Sequence, residues 1–359
     1  MKQTISIQTP ARICLFGDHQ DYLGLPVIAC AINRQIVLSA EKNNESVFHI
    51  LMPDIASERR IDISETFDIL ESQDYFASAI RVVRRYGCNP SIGYTLTLKS
   101  NIPINAGVSS SSAIVVAWVH FLLKAFGCDH PVTPSFIAQL AYEAEVVEHH
   151  SPGGRMDQYT SSIGNIIYID TAQDDAFQTI GTSMEGLILA ESGIPKQTIG
   201  LLSHLRGYAT EAIDTVSEKV PGFNIAQAKL KDYEELKGHL SEEFQPYFYA
   251  AIKNHSVTQE AIAVFKNKPL NHHHIGHLMS EHHQVLKDVL KITVPRIDAM
   301  IDAALKAGAY GAKIVGSGGG GSIAALAPPN KKLEVVNAIL ESGAKDAYEV
   351  LVTQGTNSK

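Results

Sequence analysis

The sequence predicts an α+β fold of about two domains, and three observations carry that expectation. The 359 residues exceed one small domain and fall short of three generous ones. β-Rich runs crowd the first third of the chain, whereas long helical stretches take over beyond about residue 181. A sheet-rich N-terminal domain over 1–180 and a helix-rich α+β domain over 181–359 are therefore expected, with one active site between them.

The elements follow in order. Alternation marks Thr4 to Gln8 as a strand, and β-rich runs recur at Arg12 to Phe16, Pro26 to Ile32, Gln35 to Ala40, Val47 to Met52 and Tyr94 to Leu98. The first strong helix, Ser110 to Phe126, is apolar nearly all round through Val115, Trp118, Phe121 and Leu122, so it is expected to be buried, with Gly127 as its stop. A second starts from Ser135 as N-cap and reaches about His149, and a strand at Asn165 to Thr171 ends in an acidic turn, Gln173 to Asp175. After a strand at Leu187 to Glu191, helices are expected around Asn224 to Leu240, Ile275 to Lys291 and Pro295 to Ala307. Lys313 to Val315 and Ile323 to Leu326 are short strands joined by the run Gly316 to Gly321, and Gly355 to Lys359 reads as a loose tail.

Composition narrows the function. Hydrophobic residues at 45% and charged residues at 19% are ordinary for a globular chain, and a net charge of −8 without any long basic run excludes nucleic acid or an anionic membrane as the main partner. Met1 to Gln8 lack the charged start and apolar stretch of a signal peptide, and no apolar run reaches the roughly 18 residues of a membrane helix. The 4 cysteines contain no C-x-x-C pair, which fits reduced thiols. The expectation is a cytoplasmic protein.

Three segments carry chemistry. In Pro103-Ile104-Asn105-Ala106-Gly107-Val108-Ser109-Ser110-Ser111-Ser112-Ala113, small residues follow a strand and open the buried helix. Backbone amides there can close on an oxyanion at the positive helix end, while the serine hydroxyls can reach a Mg²⁺ ion. On the residues alone, an over-provided N-cap reads equally well; neither a Walker A loop nor a dinucleotide fingerprint is present. In Gly17-Asp18-His19-Gln20-Asp21-Tyr22, two carboxylates and an imidazole just past an apolar strand suit either a grip on several hydroxyls or a solvated turn. Glu145 shares a helix face with Ala138 and Ala141, so a carboxylate there calls for a cation partner, and Pro152-Gly153-Gly154 breaks the helix before Asp157.

Taken together, these segments resemble the three motifs of the GHMP small-molecule kinase superfamily, in its order and spacing, and the galactokinase branch fits best. Arg12 to Gly24 is similar to the galactokinase N-terminal signature, Pro103 to Ala113 to the phosphate loop, Met156-Asp157-Gln158 to the catalytic M-D-Q, and Gly316 to Gly321 to the third motif. Leu278 to Leu286 with His283 and Val294 to Ala304 read like the helices that precede it. The resemblance implies the two-domain GHMP fold and an ATP- and Mg²⁺-dependent sugar kinase that phosphorylates the anomeric hydroxyl of a galactose-like monosaccharide by direct in-line transfer. It implies Asp157 as the carboxylate that polarises the acceptor and Arg12 as the cation that holds Asp157 ionised and stabilises the transferring phosphoryl. Gly107, Ser109, Ser110, Ser111 and Ser112 would bind the nucleotide phosphates, with Ser111 and Glu145 as Mg²⁺ ligands. Asp18, His19, Asp21 and Gly154 match sugar-binding positions, and Gly318 to Gly321 would let backbone approach the substrate.

The chain departs from the pattern at Asp18, where the family carries glutamate, at Arg155, where galactokinases carry an apolar residue, and at Ser112, where they carry alanine. Arg155 and the stretches Arg12-Ile13-Cys14 and Ala31-Ile32-Asn33 keep a galacturonate kinase as an alternative, as they do other GHMP small-molecule kinases. A catalytically silent sugar sensor is a third reading, against which the presence of Arg12, Glu145 and Asp157 argues. His272, His273, His274, His277, His282 and His283 lack an accompanying Cys or acidic ligand at zinc spacing and read as a mainly exposed helix face with one buried polar contact.

Overall fold

The computed structural model describes residues 4–173, 176–196 and 199–358. The first half of the chain forms β1 (Ile5–Phe16), β2 (Val27–Lys42), β3 (Val47–Met52), β4 (Ser57–Asp62), α1 (Tyr75–Arg84), β5 (Tyr94–Ser100), α2 (Ser110–Phe126), α3 (Pro134–Tyr142), α4 (Met156–Ile163), β6 (Ile166–Ile169) and β7 (Phe177–Gly181). There follow β8 (Leu187–Glu191), α5 (Ile199–Lys219), α6 (Leu230–Leu236), α7 (Gln245–Lys266), α8 (His272–Gln284), α9 (Pro295–Lys306), β9 (Gly311–Val315), β10 (Ser322–Leu326), α10 (Lys332–Glu341), β11 (Asp346–Glu349) and β12 (Asn357–Ser358). Two sheets result, one of 8 strands in the order β12-β1-β2-β5-β3-β4 with β6 and β7 branching from β2, and one of 4 strands in the order β11-β8-β10-β9. This is the mixed α+β arrangement that the sequence predicts.

The first sheet packs on α2, whose even apolar distribution leaves no solvent face, so the helix is buried along most of its length. Trp118 anchors that core: its ring lies edge-on to Phe48 at 5.1 Å and to Phe76 at 5.6 Å, and its indole N–H donates to the Phe76 carbonyl at 3.1 Å. The runs Thr4 to Gln8 and Arg12 to Phe16 prove to be one strand, β1, which crosses Pro10 at a register shift against β2. A second shift falls between Cys14 and Phe16. Between the two irregularities Ala11 to Cys14 pair in continuous register with Ile32 to Ala29, which puts Arg12 on the face opposite Ala11 and Ile13.

Several expectations need correction. Thr133, not Ser135, caps α3, accepting from the Phe136 amide at 3.1 Å. The span Asn224 to Leu240 is not one helix but short turns around α6, and the long helices are α5 and α7. Glycines at 200 and 207 obscure α5, while α7 is buried on most sides and shows no clean stripe. Asp174 and Asp175, read as part of an acidic turn, lie outside the described residues. No helix among the described residues is long and apolar enough to cross a membrane.

The chain end is not a loose tail. Asn357 and Ser358 pair with Gln8 and Ile7 of β1, and the Thr356 hydroxyl bonds buried Thr9 at 2.8 Å and His120 Nδ1 at 2.9 Å. Deleting residues 355–359 leaves those two groups without their partner and uncovers the edge of β1. The expected outcome is a loss of about 1–3 kcal/mol in unfolding free energy, read as a lower urea midpoint with an unchanged far-UV spectrum; an unchanged midpoint would restore the tail reading.

Candidate active site

Arg12 gathers the residues of the site. Its Nε donates to Asp157 Oδ1 at 2.6 Å and its Nη1 to the Gly107 carbonyl at 2.7 Å, while the Ser109 hydroxyl donates to Asp157 Oδ2 at 2.5 Å. One guanidinium thereby ties β1, the loop before α2 and the first turn of α4. Burial alone would raise the Asp157 pKa, but the charge and hydrogen bond of Arg12, the Ser109 hydroxyl and the charge of Lys196 together hold it below the usual carboxylate range. Asp157 is thus ionised at neutral pH, although most of its side chain is out of water.

The serine run does not act as an N-cap. Ser109 stands at the cap position of α2 with φ 62°, but its side chain makes no capping bond and turns to Asp157 instead. The amides of the first helical turn therefore lack a side-chain acceptor, as an anion site requires. Ser111 and Ser112 line the cavity, whereas Gly107, Ser109 and Ser110 lie behind its wall. Gly107 is needed where it stands, at φ 84°, because a Cβ would meet the Val315 carbonyl at 2.5 Å.

Glu145 enters from a π-helical turn, Glu143–Val147, that continues α3 and turns it inward. It is buried, as are Ala138 and Ala141 on the helix before it. The expected cation is not bonded to it among the described residues; Gln158 Nε2 donates to Oε2 at 2.6 Å, and the hydroxyls of Ser112 and Ser111 complete its contacts. Burial raises its pKa and those bonds only partly offset the effect. A hard cation held by Glu145 and Ser111 would supply the missing charge, with further oxygens from water or phosphate.

Across the cavity stands the turn after β1. Asp21 and His19 line the wall, and Gly154 makes room for Asp21, since a Cβ on Gly154 would stand 2.3 Å from Asp21 Oδ2. Burial and the charge of Asp157 push the Asp21 carboxyl up to about 7. Asp18 also lines the cavity, but both of its oxygens are engaged, Oδ2 by Lys313 Nζ at 2.6 Å and Oδ1 by the Gly316 amide at 3.1 Å. The whole encloses a cavity of about 380 Å³, within the range of small-molecule sites.

Other features depart from the sequence reading. Lys196 lines the same cavity, where burial lowers its pKa and the charge of Asp157 works against that shift. It follows β8 in the second half of the chain, and only its place in the fold reveals it. Arg155 does not reach the cavity; it donates to the Gln173 carbonyl at 3.2 Å and lies over the rings of Tyr142 and Tyr159. Gly316 and Ser317 line the wall, but Gly318 and Gly320 make room for the carbonyls of Ile292 and Ile194, so this glycine run admits protein backbone rather than substrate. Of the histidines, His282 and His283 are buried beneath the site, so the cluster is less exposed than expected. No group of three metal-ligating side chains occurs among the described residues.

Family models match this architecture. The GHMP kinases N terminal domain covers residues 74–165, the GHMP kinases C terminal domain 261–345, and a galactokinase galactose-binding signature 2–42. The chain is 28% identical to a mevalonate kinase of Thermococcus sibiricus, over 96% of each chain. It is 26% identical to a galactokinase of Pasteurella multocida, over 99% of this chain and 94% of that one. Among solved structures, Lactococcus lactis galactokinase complexed with galactose superposes with a TM-score of 0.89 at 19% identity, covering 99% of this chain and 95% of that one. Methanococcus jannaschii mevalonate kinase superposes at 0.71 and 22% identity, covering 99% of both.

Buried histidines set the acid limit of the fold. Burial lowers His19, His120 and His283 to about 4 and His282 to about 3, so the unfolded chain takes up protons below pH 6.5 that the folded chain refuses. Asp21 and Glu145, raised in the fold, act in the opposite sense, but the four imidazoles outweigh them. Stability is expected to fall by about 2 kcal/mol or more between pH 6.5 and pH 4.5, measured as urea midpoints; a flat or rising profile contradicts this balance.

Proposed function

The chain belongs to the GHMP kinase superfamily of ATP-dependent phosphotransferases, and from that premise we propose that it phosphorylates the anomeric hydroxyl of a neutral, galactose-like sugar by direct in-line transfer. The observation that carries the reading is the pairing, in one cavity, of an ionised Asp157 with Asp21 and His19, which come from the segment matching the galactose-binding signature.

Asp157 accepts a hydrogen bond from the acceptor hydroxyl and receives its proton as the oxygen attacks phosphorus. Arg12 and Lys196, both on the cavity wall, meet the negative charge of the transferring group. The amides opening α2, with the Ser111 and Ser112 hydroxyls on the cavity wall, would hold the nucleotide phosphates. Glu145 and Ser111 would hold Mg²⁺, which would supply neutralisation of phosphate charge. His19 and Asp21 orient the sugar hydroxyls, with Gly154 giving Asp21 its place and Asp18 anchoring the turn.

A neutral acceptor fits this charge pattern better than an acidic one. A substrate carboxylate beside Asp21 would face the charge of Asp157, while Arg12 and Lys196 are taken up by the phosphoryl group in this reading and Arg155 is turned to Gln173 and two tyrosine rings.

ADP release measured over galactose, galacturonate, N-acetylgalactosamine, arabinose, glucose and mevalonate tests the acceptor. The expected result is the highest kcat/KM with galactose; a clear preference for galacturonate or mevalonate would overturn the sugar assignment and leave the phosphotransferase reading intact. In the same assay, Asp157→Asn is expected to lower kcat by about 100-fold or more while ATP and sugar still bind. Near wild-type turnover in the folded variant would remove Asp157 from the mechanism.

A further inference from the structure

Lys313 lies in β9 among wholly buried neighbours and is itself 0% exposed. Burying an ammonium costs several kcal/mol, and an apolar side chain would fill the strand at less cost, so stability alone does not account for it. All three of its N–H groups are used: they donate to Asp18 Oδ2 at 2.6 Å, to the Ile314 carbonyl at 2.8 Å and to the Cys14 carbonyl at 3.1 Å. These bonds join the end of β1, the turn that follows it, and the end of β9, which belong to different sheets.

The turn needs such an anchor. Asp18 sits between Gly17 at φ 98° and His19 at φ 63°, and a non-glycine residue in the left-handed region persists only where its surroundings hold it. The carboxylate that Lys313 grips also accepts from the Gly316 amide, so the ion pair, alongside a hydrogen bond between His19 and the Ser317 backbone, ties the turn carrying His19 and Asp21 to the start of the glycine run, where Gly316 and Ser317 line the cavity.

We propose that Lys313 is a positioning residue for acceptor binding: through Asp18 it holds the His19 to Asp21 turn and the Gly316-Ser317 wall in one relative placement. The consequence for catalysis rests on the sugar-kinase reading above; the placement itself does not. Asp18 thereby serves the acceptor by fixing its neighbours, and the shorter aspartate at this position suffices because Lys313 reaches it within 2.6 Å.

Three variants test this: Lys313→Met, Asp18→Asn and the double variant. Lys313→Met leaves a buried carboxylate unpaired, so it is expected to lower the Tm, while the double variant, with no stranded charge, recovers most of that loss. Acceptor recognition behaves differently: with galactose as probe, KM is expected to rise about tenfold or more in both Lys313→Met and the double variant, with ATP affinity changed by less than about threefold. Hydrogen exchange of residues 17–24 and 316–321 is expected to speed up about tenfold together in both. A double variant that recovers galactose KM and exchange along with Tm would make the pair purely structural and overturn the proposal. If Lys313→Met does not fold, the double variant decides by the same readings. If the wild-type protein does not phosphorylate galactose, the sugar reading fails separately, and exchange alone decides: joint acceleration supports the placement role and unchanged exchange overturns it.

Discussion

The bond between Arg12 and Asp157 is the constraint on which the site depends. Burial would push the Asp157 carboxyl up without a cation beside it, and a guanidinium as buried as Arg12 would be costly without an acceptor. Each makes the other tenable at 2.6 Å, and the second arm of Arg12 on the Gly107 carbonyl extends the constraint to the loop before α2. At Arg12 the strand itself runs beside the loop before α2, its backbone N–H donating to the Val108 carbonyl at 3.2 Å, so the side chain meets the start of a helix directly.

Charge divides the cavity into two ends. At one end Lys196, Arg12 and the uncapped start of α2 are positive, with Glu145 poised beside serine hydroxyls. At the other, Asp21, His19 and Asp18 are carboxylate and neutral imidazole, and burial, joined by the charge of Asp157, pushes the Asp21 carboxyl up to about 7. In the function proposed above, an anionic donor would meet the first set of groups and a hydroxylated acceptor the second. Burial lowers the pKa of His282 and His283 beneath the site, and the charge and hydrogen bond of Lys313 hold Asp18 down to about 2 despite its burial.

What was legible in the sequence was local. Arg12, Asp21, Glu145 and Asp157 each stand in a short segment whose small residues, helix break or acid spacing announce chemistry, and the structure brings these segments together. Lys196 and Lys313 were not legible because nothing adjacent to them is unusual; their meaning comes from partners in the first half of the chain, as with Lys313 and Asp18 across 295 residues. The same limit applies to the fold. The apolar helix α2 and the early strands declare themselves by pattern, whereas α7 is enclosed on most sides and the return of Thr356 to Thr9 and His120 depends wholly on tertiary contact. Ser109 is instructive in a different way: a serine at a helix start reads as a cap, and only the proximity of Asp157 shows that its hydroxyl is spent elsewhere.

A crystal structure of the chain with D-galactose, Mg²⁺ and a non-hydrolysable ATP analogue tests this assignment of the two ends most directly. The expected result places the anomeric hydroxyl within hydrogen-bonding distance of Asp157, the remaining hydroxyls on His19 and Asp21, and the terminal phosphate between Arg12, Lys196 and the start of α2. A sugar bound with its anomeric hydroxyl turned away from Asp157, or phosphates seated away from residues 107–112, would contradict it.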